Sequence, residues 1–292
     1  MKLNLNNEID NKIFSLYKQE TLKMLSTDKV DYFGINISSD KKSDYKFKIY
    51  YQDEYSRFLY ENSKNKNPLL EFLFENDMMR FLTAIHDKNE DFNLYDAGVG
   101  NRTNENMEKF FEYMDKNIKI FTQNKDEILK ISKMKSTPKE NHDYHSLYFM
   151  AYMNNVLKCH WFNNTRKNII SNEYYLDFIE NLQIKEFCII SNIIKKIISF
   201  SGGRLLMEGI DYTENGPQKY KIYIRNSKSN RTVDVLLKVI DNPILKDKIQ
   251  KIKEWHNSHK YFYCDGFALC LDKNNIYTIN FYFRNKNVFY PI

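Results

Sequence analysis

The sequence predicts an α+β fold in which five hairpins form a ten-stranded antiparallel β-barrel surrounded by helices. A strand pattern ending in Lys-x-aromatic returns along the chain at Tyr45–Tyr51, Val156–Phe162, Lys219–Arg225 and, weakened, at Thr278–Arg284. Side chains alternate along a strand, so each copy has one apolar face and one face that carries cations beside Tyr, His or Asn. The stretches between the copies have helical periodicity. One αββα unit, repeated about five times, explains both observations.

The first half of the chain is predicted to hold two hairpins and the helices around them. A helix over Glu8–Ser26 precedes a hairpin over Phe33–Tyr51, whose turn contains Asp and Ser. The second hairpin is predicted to begin at Asn93–Arg102 and to return through a fifth copy of the pattern at Asn117–Gln123. A return at Glu108–Tyr113 is the rival register. Further helices are predicted at Tyr55–Asn62, Pro68–Ile85 and Lys125–Lys133.

The second half has clearer turn signals. The third hairpin turns at Asn154-Asn155, a pair that accepts positive φ, and the fourth turns through Asn215-Gly216-Pro217. The fifth hairpin turns between Asp272 and Asn275. The helical segments that follow the third and fourth hairpins are Asn172–Phe200 and Val233–His256, the latter broken by Pro243.

Two other arrangements give the same alternation. In an ordinary antiparallel sheet the lysines simply face solvent, and in a two-layer α/β sandwich an open sheet carries helices on one face. A closed barrel covered by helices instead directs the polar face into its lumen, and ten strands are enough to enclose a ligand. The barrel predicts that Phe47, Ile49, Ile222 and Ile224 point outward.

Composition narrows the class of protein. The hairpins spread over 292 residues without a low-complexity linker, which favours one domain over residues 1–292. No apolar run is long enough for a transmembrane helix, and the N-terminus has no signal-peptide core. The four cysteines have no CxxC spacing, so we expect reduced thiols and a cytoplasmic location. A net charge of +6 suits an anionic partner, but no nucleic-acid-binding signature and no phosphate-binding glycine loop is present.

Short motifs add a resemblance to this pattern. Ala97–Asn104 reads AGVGNRTN, the last hairpin ends in Phe281–Arg284, and Phe33–Asn36 and Glu208–Asp211 repeat a Gly-hydrophobic-polar opening. In these motifs and in its five-unit architecture the chain resembles the aromatic prenyltransferases of the ABBA, or PT-barrel, superfamily. Within it, the chain is most similar to the cyanobactin-type peptide prenyltransferases.

This resemblance implies an enzyme that transfers a dimethylallyl or geranyl group from a prenyl diphosphate to a side chain of a ribosomal peptide. Only eight residues follow Arg284, so we expect no C-terminal helix over the barrel mouth, which suits a bulky peptide acceptor. Prenylation of a small aromatic metabolite, a non-catalytic barrel that binds an anionic ligand, and a nucleic-acid-binding module are the alternatives. The prenyl diphosphate is the expected co-substrate; no metal-ligand motif is predicted, and a requirement for Mg²⁺ stays open.

The polar strand faces supply candidate residues for each part of this reaction. Cations and phenol donors aimed at the diphosphate would stabilise its departure; they are Lys48, Lys119, Lys158, Lys221, Tyr223, Tyr282 and Arg284. The predicted prenyl and substrate pocket consists of Tyr50, Phe121, His160 and Trp161. Aromatic faces there would stabilise a carbocation, although strand parity turns Trp161 outward.

The proton acceptor departs from the family pattern, because the family usually has a glutamate in its first hairpin. Here Asp31–Asn36 has no carboxylate beside the glycine. Glu208 and Asp265 each precede a hairpin glycine, where a strand can kink and turn a side chain inward. We expect Glu208 to be the catalytic base, with Asp265 as second choice; a solvated carboxylate at the rim is the competing interpretation.

Overall fold

The computed structural model describes residues 3–4, 7–17, 19–25, 27, 29–51, 53–62, 68–85, 93–99, 104–135, 147–162, 164–165, 168–169, 172–201, 203–225 and 232–285. Within these residues two helices precede each of five hairpins. The helices are α1 (Glu8–Leu16), α2 (Gln19–Met24), α3 (Asp53–Glu61), α4 (Pro68–Glu75), α5 (Asn104–Asn117), α6 (Lys119–Lys135), α7 (Asn172–Asn181), α8 (Lys185–Ser201), α9 (Thr232–Val239) and α10 (Pro243–Ser258). The strands are β1 (Val30–Ser38), β2 (Lys46–Tyr51), β3 (Met79–Ile85), β4 (Asn93–Val99), β5 (Leu147–Met153), β6 (Val156–Phe162), β7 (Asn164–Thr165), β8 (Asn168–Ile169), β9 (Arg204–Thr213), β10 (Gly216–Arg225), β11 (Phe262–Asp272) and β12 (Tyr277–Asn285).

The strands pair antiparallel in the order β1-β12-β11-β10-β9-β6-β5-β4-β3-β2. Because β2 also pairs with β1, for example at Phe33 opposite Ile49, this order returns to its start. The contact between β4 and β5 is the thinnest, with Gly98 opposite Phe149. The short β7 and β8 form a separate two-stranded sheet. The predicted α+β class with an antiparallel sheet and surrounding helices is confirmed.

The turn signals of the later hairpins are also confirmed. Asn154 and Asn155 both have positive φ, 52° and 57°, as a two-residue turn between β5 and β6 requires. Gly216 has a φ of 83° at the β9–β10 turn and Asn275 a φ of 59° at the β11–β12 turn. At the break between the last two helices, Pro243 occupies the first turn of α10 and Asn242 caps it.

The apolar strand faces pack against the helices. Phe47, Ile49, Ile222 and Ile224 all belong to the main core, together with residues of the surrounding helices. The ring centroid of Phe33 lies 6.0 Å from that of Trp255 on α10. Complete burial of an aromatic or branched side chain of this size contributes about 1.5–3 kcal/mol. These contacts place the apolar face outward, as the barrel interpretation predicts, and they leave the polar face for the lumen.

The second hairpin is where the prediction was wrong. Residues predicted to complete a helix over Pro68–Ile85 instead form α4, a turn at Asp77 with a φ of 53°, and strand β3. The partner of β4 is therefore β3, which precedes it. The expected returning strand at Asn117–Gln123 spans the end of α5 and the start of α6. Its apolar residues Ile118 and Phe121 are buried in the helical layer. The short apolar pattern of residues 118–121, Ile-Lys-Ile-Phe, is compatible with a buried helix face as well as with a strand, so periodicity alone does not distinguish the two.

Membrane-spanning helices are absent from the described part of the chain, where none combines sufficient length with sufficient hydropathy.

Candidate active site

Lysines from β2, β6 and β10 meet inside the lumen. Lys158 on β6 and Lys221 on β10 are only 7% and 6% exposed, and both flank β9. The charges of Lys221, Lys158 and Lys48 all act on the pKa of His160, the residue around which this group gathers. We call Lys48, Lys158, Lys219 and Lys221 the lysine cluster. A concentration of cations on one strand face creates a positive potential that attracts anions.

The carboxylate of Asp211 lies within the lysine cluster. Asp211 on β9 is the cross-strand neighbour of Lys158 on one side and of Lys219 on the other. It also forms a buried ion pair with Lys221 Nζ. Burial by itself raises the pKa of Asp211, but Lys221 and Lys158 outweigh that effect and hold it below the ordinary value. Asp211 is therefore ionised at neutral pH. The pKa of Lys219 is lowered, chiefly by burial.

His160 lies against a glycine of the adjacent strand. A Cβ added at Gly209 would come within 2.1 Å of the imidazole Cδ2, so only glycine leaves room for the ring. Burial lowers the pKa of His160 well below its ordinary value, and Lys221, Lys158 and Lys48 lower it further. His160 is thus neutral at pH 7. Its Nε2 lies 3.2 Å from the hydroxyl of Tyr223.

Four tyrosines continue the lumen from His160. Tyr223 and Tyr282 have ring centroids 6.0 Å apart, Tyr282 and Tyr50 5.7 Å, and Tyr50 and Tyr32 6.3 Å. Hydroxyl contacts join Tyr282 to both Tyr223 and Tyr50. Burial raises the pKa of Tyr223 and Tyr282 well above the ordinary value, so both stay protonated donors. We call Tyr32, Tyr50, Tyr223 and Tyr282 the tyrosine cluster.

A second charged group lies beyond the tyrosines. Arg284 Nη2 donates to the Tyr32 hydroxyl at 2.5 Å and to Asp31 Oδ1 at 2.8 Å. The Tyr32 hydroxyl in turn donates to Asp265 Oδ2 at 2.9 Å, and Arg225 Nε lies 3.6 Å from the other oxygen of Asp265. The Arg284 guanidinium also covers the Tyr32 ring, 4.3 Å from its centroid. We call Asp31, Tyr32, Asp265 and Arg284 the rim cluster.

Most of the residues predicted for the site share this lumen. Lys48, Lys158 and Lys221 lie around His160, with Tyr223, Tyr282 and Tyr50 beside them. Arg284 belongs to the rim cluster instead, where it already pairs with Asp31. The cations that were expected to converge on one anion therefore lie in two groups, the lysine cluster and the rim cluster.

Three residues proposed for the site lie elsewhere. Lys119 is on α6, exposed, and 3.3 Å from Glu214. Phe121 is on the same helix and packs against Phe111 with ring centroids 5.7 Å apart, in the layer outside the strands. Trp161 faces outward, as parity indicated, and its Nε1 donates to Ser132 Oγ on α6 at 2.8 Å. None of the three lines the lumen.

Glu208 is also on the outward face. The register sets it opposite Trp161 on β6 and Ile222 on β10, both members of the apolar layer, and it is fully buried there. The expected kink that would turn this carboxylate inward does not occur at Glu208, because β9 keeps regular pairing through Gly209. At Asp265 a bulge does interrupt the β11–β12 register, between Cys264 and Gly266. Asp265 is the carboxylate that reaches the tyrosines.

Sequence reasoning missed Tyr32 and Asp211, and it gave Lys219 no role although alternation in β10 places it on the cationic face with Lys221. Parity counted from Gly209 places Asp211 on the lumen face, so alternation alone could have identified it. Tyr32 follows in the same way from Gly34. The Tyr32–Asp265 contact joins residues 233 apart and follows only from the pairing of β1 with β12 and of β12 with β11.

The donor set of the lumen suits an anion more than a metal ion. Within the described ranges no group of three or more His, Cys, Asp or Glu side chains is arranged to hold a metal. Ammonium groups cannot ligate a metal ion, whereas ammonium groups and protonated phenol hydroxyls both donate to phosphate oxygens.

No protein-family model and no curated protein matches the sequence. The structure is similar to 6-dimethylallyltryptophan synthase from Micromonospora olivasterospora in complex with DMASPP and Trp, with a TM-score of 0.59 and 10% identity over 96% of this chain and 92% of that one. It is similar to the NotF prenyltransferase with a TM-score of 0.58 and 10% identity, covering 88% of this chain and 80% of NotF. AnaPT from Neosartorya fischeri gives a TM-score of 0.59 at 8% identity, covering 88% and 78%. The chain therefore has the fold of these prenyltransferases.

Proposed function

We propose that this protein is an aromatic prenyltransferase that moves a prenyl group from a prenyl diphosphate to a small aromatic acceptor inside a closed ten-stranded barrel. The observation that carries the proposal is the position of the lysine cluster directly beside the tyrosine cluster, joined by the contact between His160 and Tyr223. The fold it shares with solved prenyltransferases supports the same activity.

The lysine cluster is the proposed diphosphate site. Lys48, Lys158 and Lys221 offer ammonium groups, and Tyr223 offers a hydroxyl from the same side of the lumen. As the bond from the prenyl carbon to the diphosphate oxygen breaks, negative charge grows on the leaving diphosphate. Fixed cations in an enclosed site stabilise that charge more than they stabilise the bound donor, which accelerates the reaction.

The tyrosine cluster is the proposed site of the prenyl cation. Its rings pack against one another, with centroids about 6 Å apart, next to the lysines. A cation against an aromatic face is stabilised by about 0.5–2 kcal/mol per ring. The same rings keep water away from the cation, and water would otherwise convert it to the alcohol. Because burial raises the pKa of Tyr223 and Tyr282, their hydroxyls stay neutral and do not compete with the acceptor as nucleophilic phenolates.

Asp265 is the proposed proton acceptor. After the prenyl cation bonds to an aromatic carbon, that carbon must lose a proton, and a carboxylate within reach is a suitable base. Asp265 accepts from Tyr32, whose ring lies 6.2 Å from that of Tyr282, so the carboxylate is linked to the tyrosine cluster. Glu208 lies on the strand face that packs against the helices. In the Asp265→Asn variant we expect turnover to fall by about 10²–10⁴-fold with donor affinity kept.

A small aromatic acceptor is favoured over a ribosomal peptide. Two structural neighbours were solved with such molecules bound, a 5-dimethylallyltryptophan synthase with DMASPP and Trp, and NotF with brevianamide F and DMSPP. The lumen offers tyrosine faces for stacking an aromatic ring, and the rim cluster offers charged groups to its polar substituents. Peptide prenylation of the cyanobactin type is supported only by the short sequence motifs.

The decisive experiment incubates the protein with dimethylallyl or geranyl diphosphate and an acceptor panel. The panel contains tryptophan, a tryptophan-containing cyclic dipeptide and a linear peptide library, with transfer read as a mass shift. We expect a product with at least one of the two small acceptors and loss of that product in Lys221→Met. If only the peptides were prenylated, the acceptor would be a peptide and not a small aromatic molecule. Donor binding without transfer would indicate a non-catalytic barrel. The absence of donor binding would refute the proposal.

A further inference from the structure

Asp211 is a carboxylate in a site that otherwise suits an anion. It lies between Lys158 and Lys219 across the strands and is ion-paired with Lys221. The side chains of Lys221 and Asp211 are 7% and 12% exposed, so the pair is shielded from solvent but still borders the lumen. The negative charge of Asp211 would repel an incoming diphosphate. Its place among the lysines therefore needs a physical explanation.

The charge of the cluster provides that reason. Four lysines brought together without a counterion would repel one another, and burying the charges of Lys158 and Lys221 unpaired would be strongly unfavourable. The four lysines and the ionised Asp211 together carry about +3 at neutral pH, and Asp272 on β11, the cross-strand neighbour of Lys219, is a second carboxylate at the edge of this group. A prenyl diphosphate carries close to three negative charges, so the site with its carboxylate balances the donor without an excess of positive charge.

We propose that Asp211 is a resident counterion that the diphosphate displaces from Lys221, and that re-pairs with Lys221 when pyrophosphate leaves. This inference rests on the proposed donor-binding role of the lysine cluster. A tethered carboxylate is present at high effective concentration, so an anion must make several charged contacts at once to replace it. Sulfate and monophosphate make fewer contacts than a diphosphate. Asp211 thereby makes the site selective and keeps it from holding its product too tightly.

The variant Asp211→Asn preserves volume and removes the competing charge. We expect its affinity for inorganic pyrophosphate, measured by isothermal titration calorimetry, to rise by about tenfold, equivalent to about 1.4 kcal/mol. Inorganic phosphate should also bind more tightly. In steady-state kinetics kcat and the KM for the donor should fall together, because pyrophosphate release becomes slow. A merely structural carboxylate would not tighten anion binding.

Glu214→Gln is the matched control. Glu214 is exposed at the tip of the same β9–β10 hairpin and contacts Lys119 outside the barrel. The Glu214→Gln variant changes the net charge of the chain by the same amount as Asp211→Asn. Because surface charges are screened, its pyrophosphate affinity should remain within about twofold of wild type.

The outcomes separate this inference from the proposed function. Pyrophosphate binding to wild type with no tightening in Asp211→Asn overturns the counterion role alone. Failure of both proteins to bind pyrophosphate overturns the donor site and the counterion role with it. Binding by Asp211→Asn alone supports the counterion role and argues against donor use by the wild type.

A second variant covers the case in which Asp211→Asn does not fold. Asp211→Asn/Lys221→Met removes both charges of the buried pair, a change that proteins tolerate better than removal of one. In this double variant pyrophosphate no longer has a carboxylate to displace, and it also loses its contact with Lys221. Phosphate, which makes fewer contacts, loses less binding free energy. The preference for pyrophosphate over phosphate should therefore decrease, and an unchanged preference would overturn the inference.

Discussion

Lys221 places a positive charge in the lumen and is the ion-pair partner of Asp211. Replacing it with Met removes the contact to an anion and leaves the Asp211 carboxylate facing Lys158 and Lys219. A charge-assisted hydrogen bond is worth about 1.5–3 kcal/mol, so the dissociation constant for pyrophosphate should rise about 10- to 150-fold. Calorimetric titration measures it, with Lys119→Met, an exposed lysine on α6, as the control. Equal affinities in both variants would show that Lys221 does not contact the anion.

His160 makes stability depend on pH. Its neighbours in the lumen are Lys48, Lys158, Lys221 and Tyr223, and burial and the three lysines hold its pKa well below the ordinary value. As pH falls below about 6.5 the unfolded chain takes up a proton at this residue while the folded protein does not. Its contribution to stability is therefore complete at neutral pH and decreases as pH falls.

The variant His160→Gln removes this titration. Between pH 7 and pH 5 its melting temperature should decrease less steeply than that of wild type. The corresponding difference in the slope of the free energy of unfolding is up to about 1.4 kcal/mol per pH unit. Differential scanning calorimetry across the pH series measures the difference. His256, buried near Phe283 on the outer side, provides the comparison variant His256→Gln. Parallel pH profiles for wild type and His160→Gln would contradict the assignment of a neutral histidine.

Trp161 shows what the outward face of a strand does for the adjacent element. Its Nε1 donates to Ser132 Oγ on α6, and Ser132 donates to Ile128 O within that helix. Both side chains are fully buried, so this bond fixes α6 against β6. Trp161→Phe leaves the serine without its donor and should lower the free energy of unfolding by about 1–3 kcal/mol.

The same variant should leave pyrophosphate affinity unchanged, because Trp161 does not reach the lumen. Urea unfolding measures the first effect and calorimetric titration the second. Ser132→Ala should destabilise to a similar extent, and the double variant should lose less than the sum of the two. A loss of pyrophosphate affinity in Trp161→Phe would instead restore this ring to the substrate pocket.

Elements with strict alternation and a turn signal could be predicted from the sequence. In β2 and β10 the alternation of side chains is enough to assign Lys48, Lys221 and Tyr223 to the lumen face. Where local patterns are ambiguous the prediction failed: Pro68–Ile85 is largely apolar, and only Asn76-Asp77 hints at the turn that separates α4 from β3. Local sequence also cannot give the rim cluster, since Asp31 and Arg284 meet through pairing of the first strand with the last.

At the scale of the whole molecule, the sheet separates two kinds of charge. Lys158 and Lys221 are buried in the lumen, while lysines such as Lys119, Lys109 and Lys195 lie in exposed ion pairs on helices. Exposed pairs of this kind contribute little to stability. Lys158 and Lys221 are thus enclosed by the strands, whereas these helix lysines are exposed and already paired with carboxylates.

Enclosure of the lysine cluster distinguishes a diphosphate site from a nucleic-acid surface. A nucleic-acid module needs its cations on an accessible face, and its affinity falls steeply as salt rises, since phosphate contacts release counterions. Fluorescence anisotropy with labelled single- and double-stranded oligonucleotides should therefore show only weak binding at physiological salt, with no difference between wild type and Lys221→Met. Under the same conditions pyrophosphate should raise the melting temperature of wild type, because a ligand at 100 times its dissociation constant stabilises a protein by about 2.7 kcal/mol. Tight oligonucleotide binding that Lys221→Met abolishes would mean that the lysine cluster serves a polymer, and the enclosed diphosphate site would have to be abandoned.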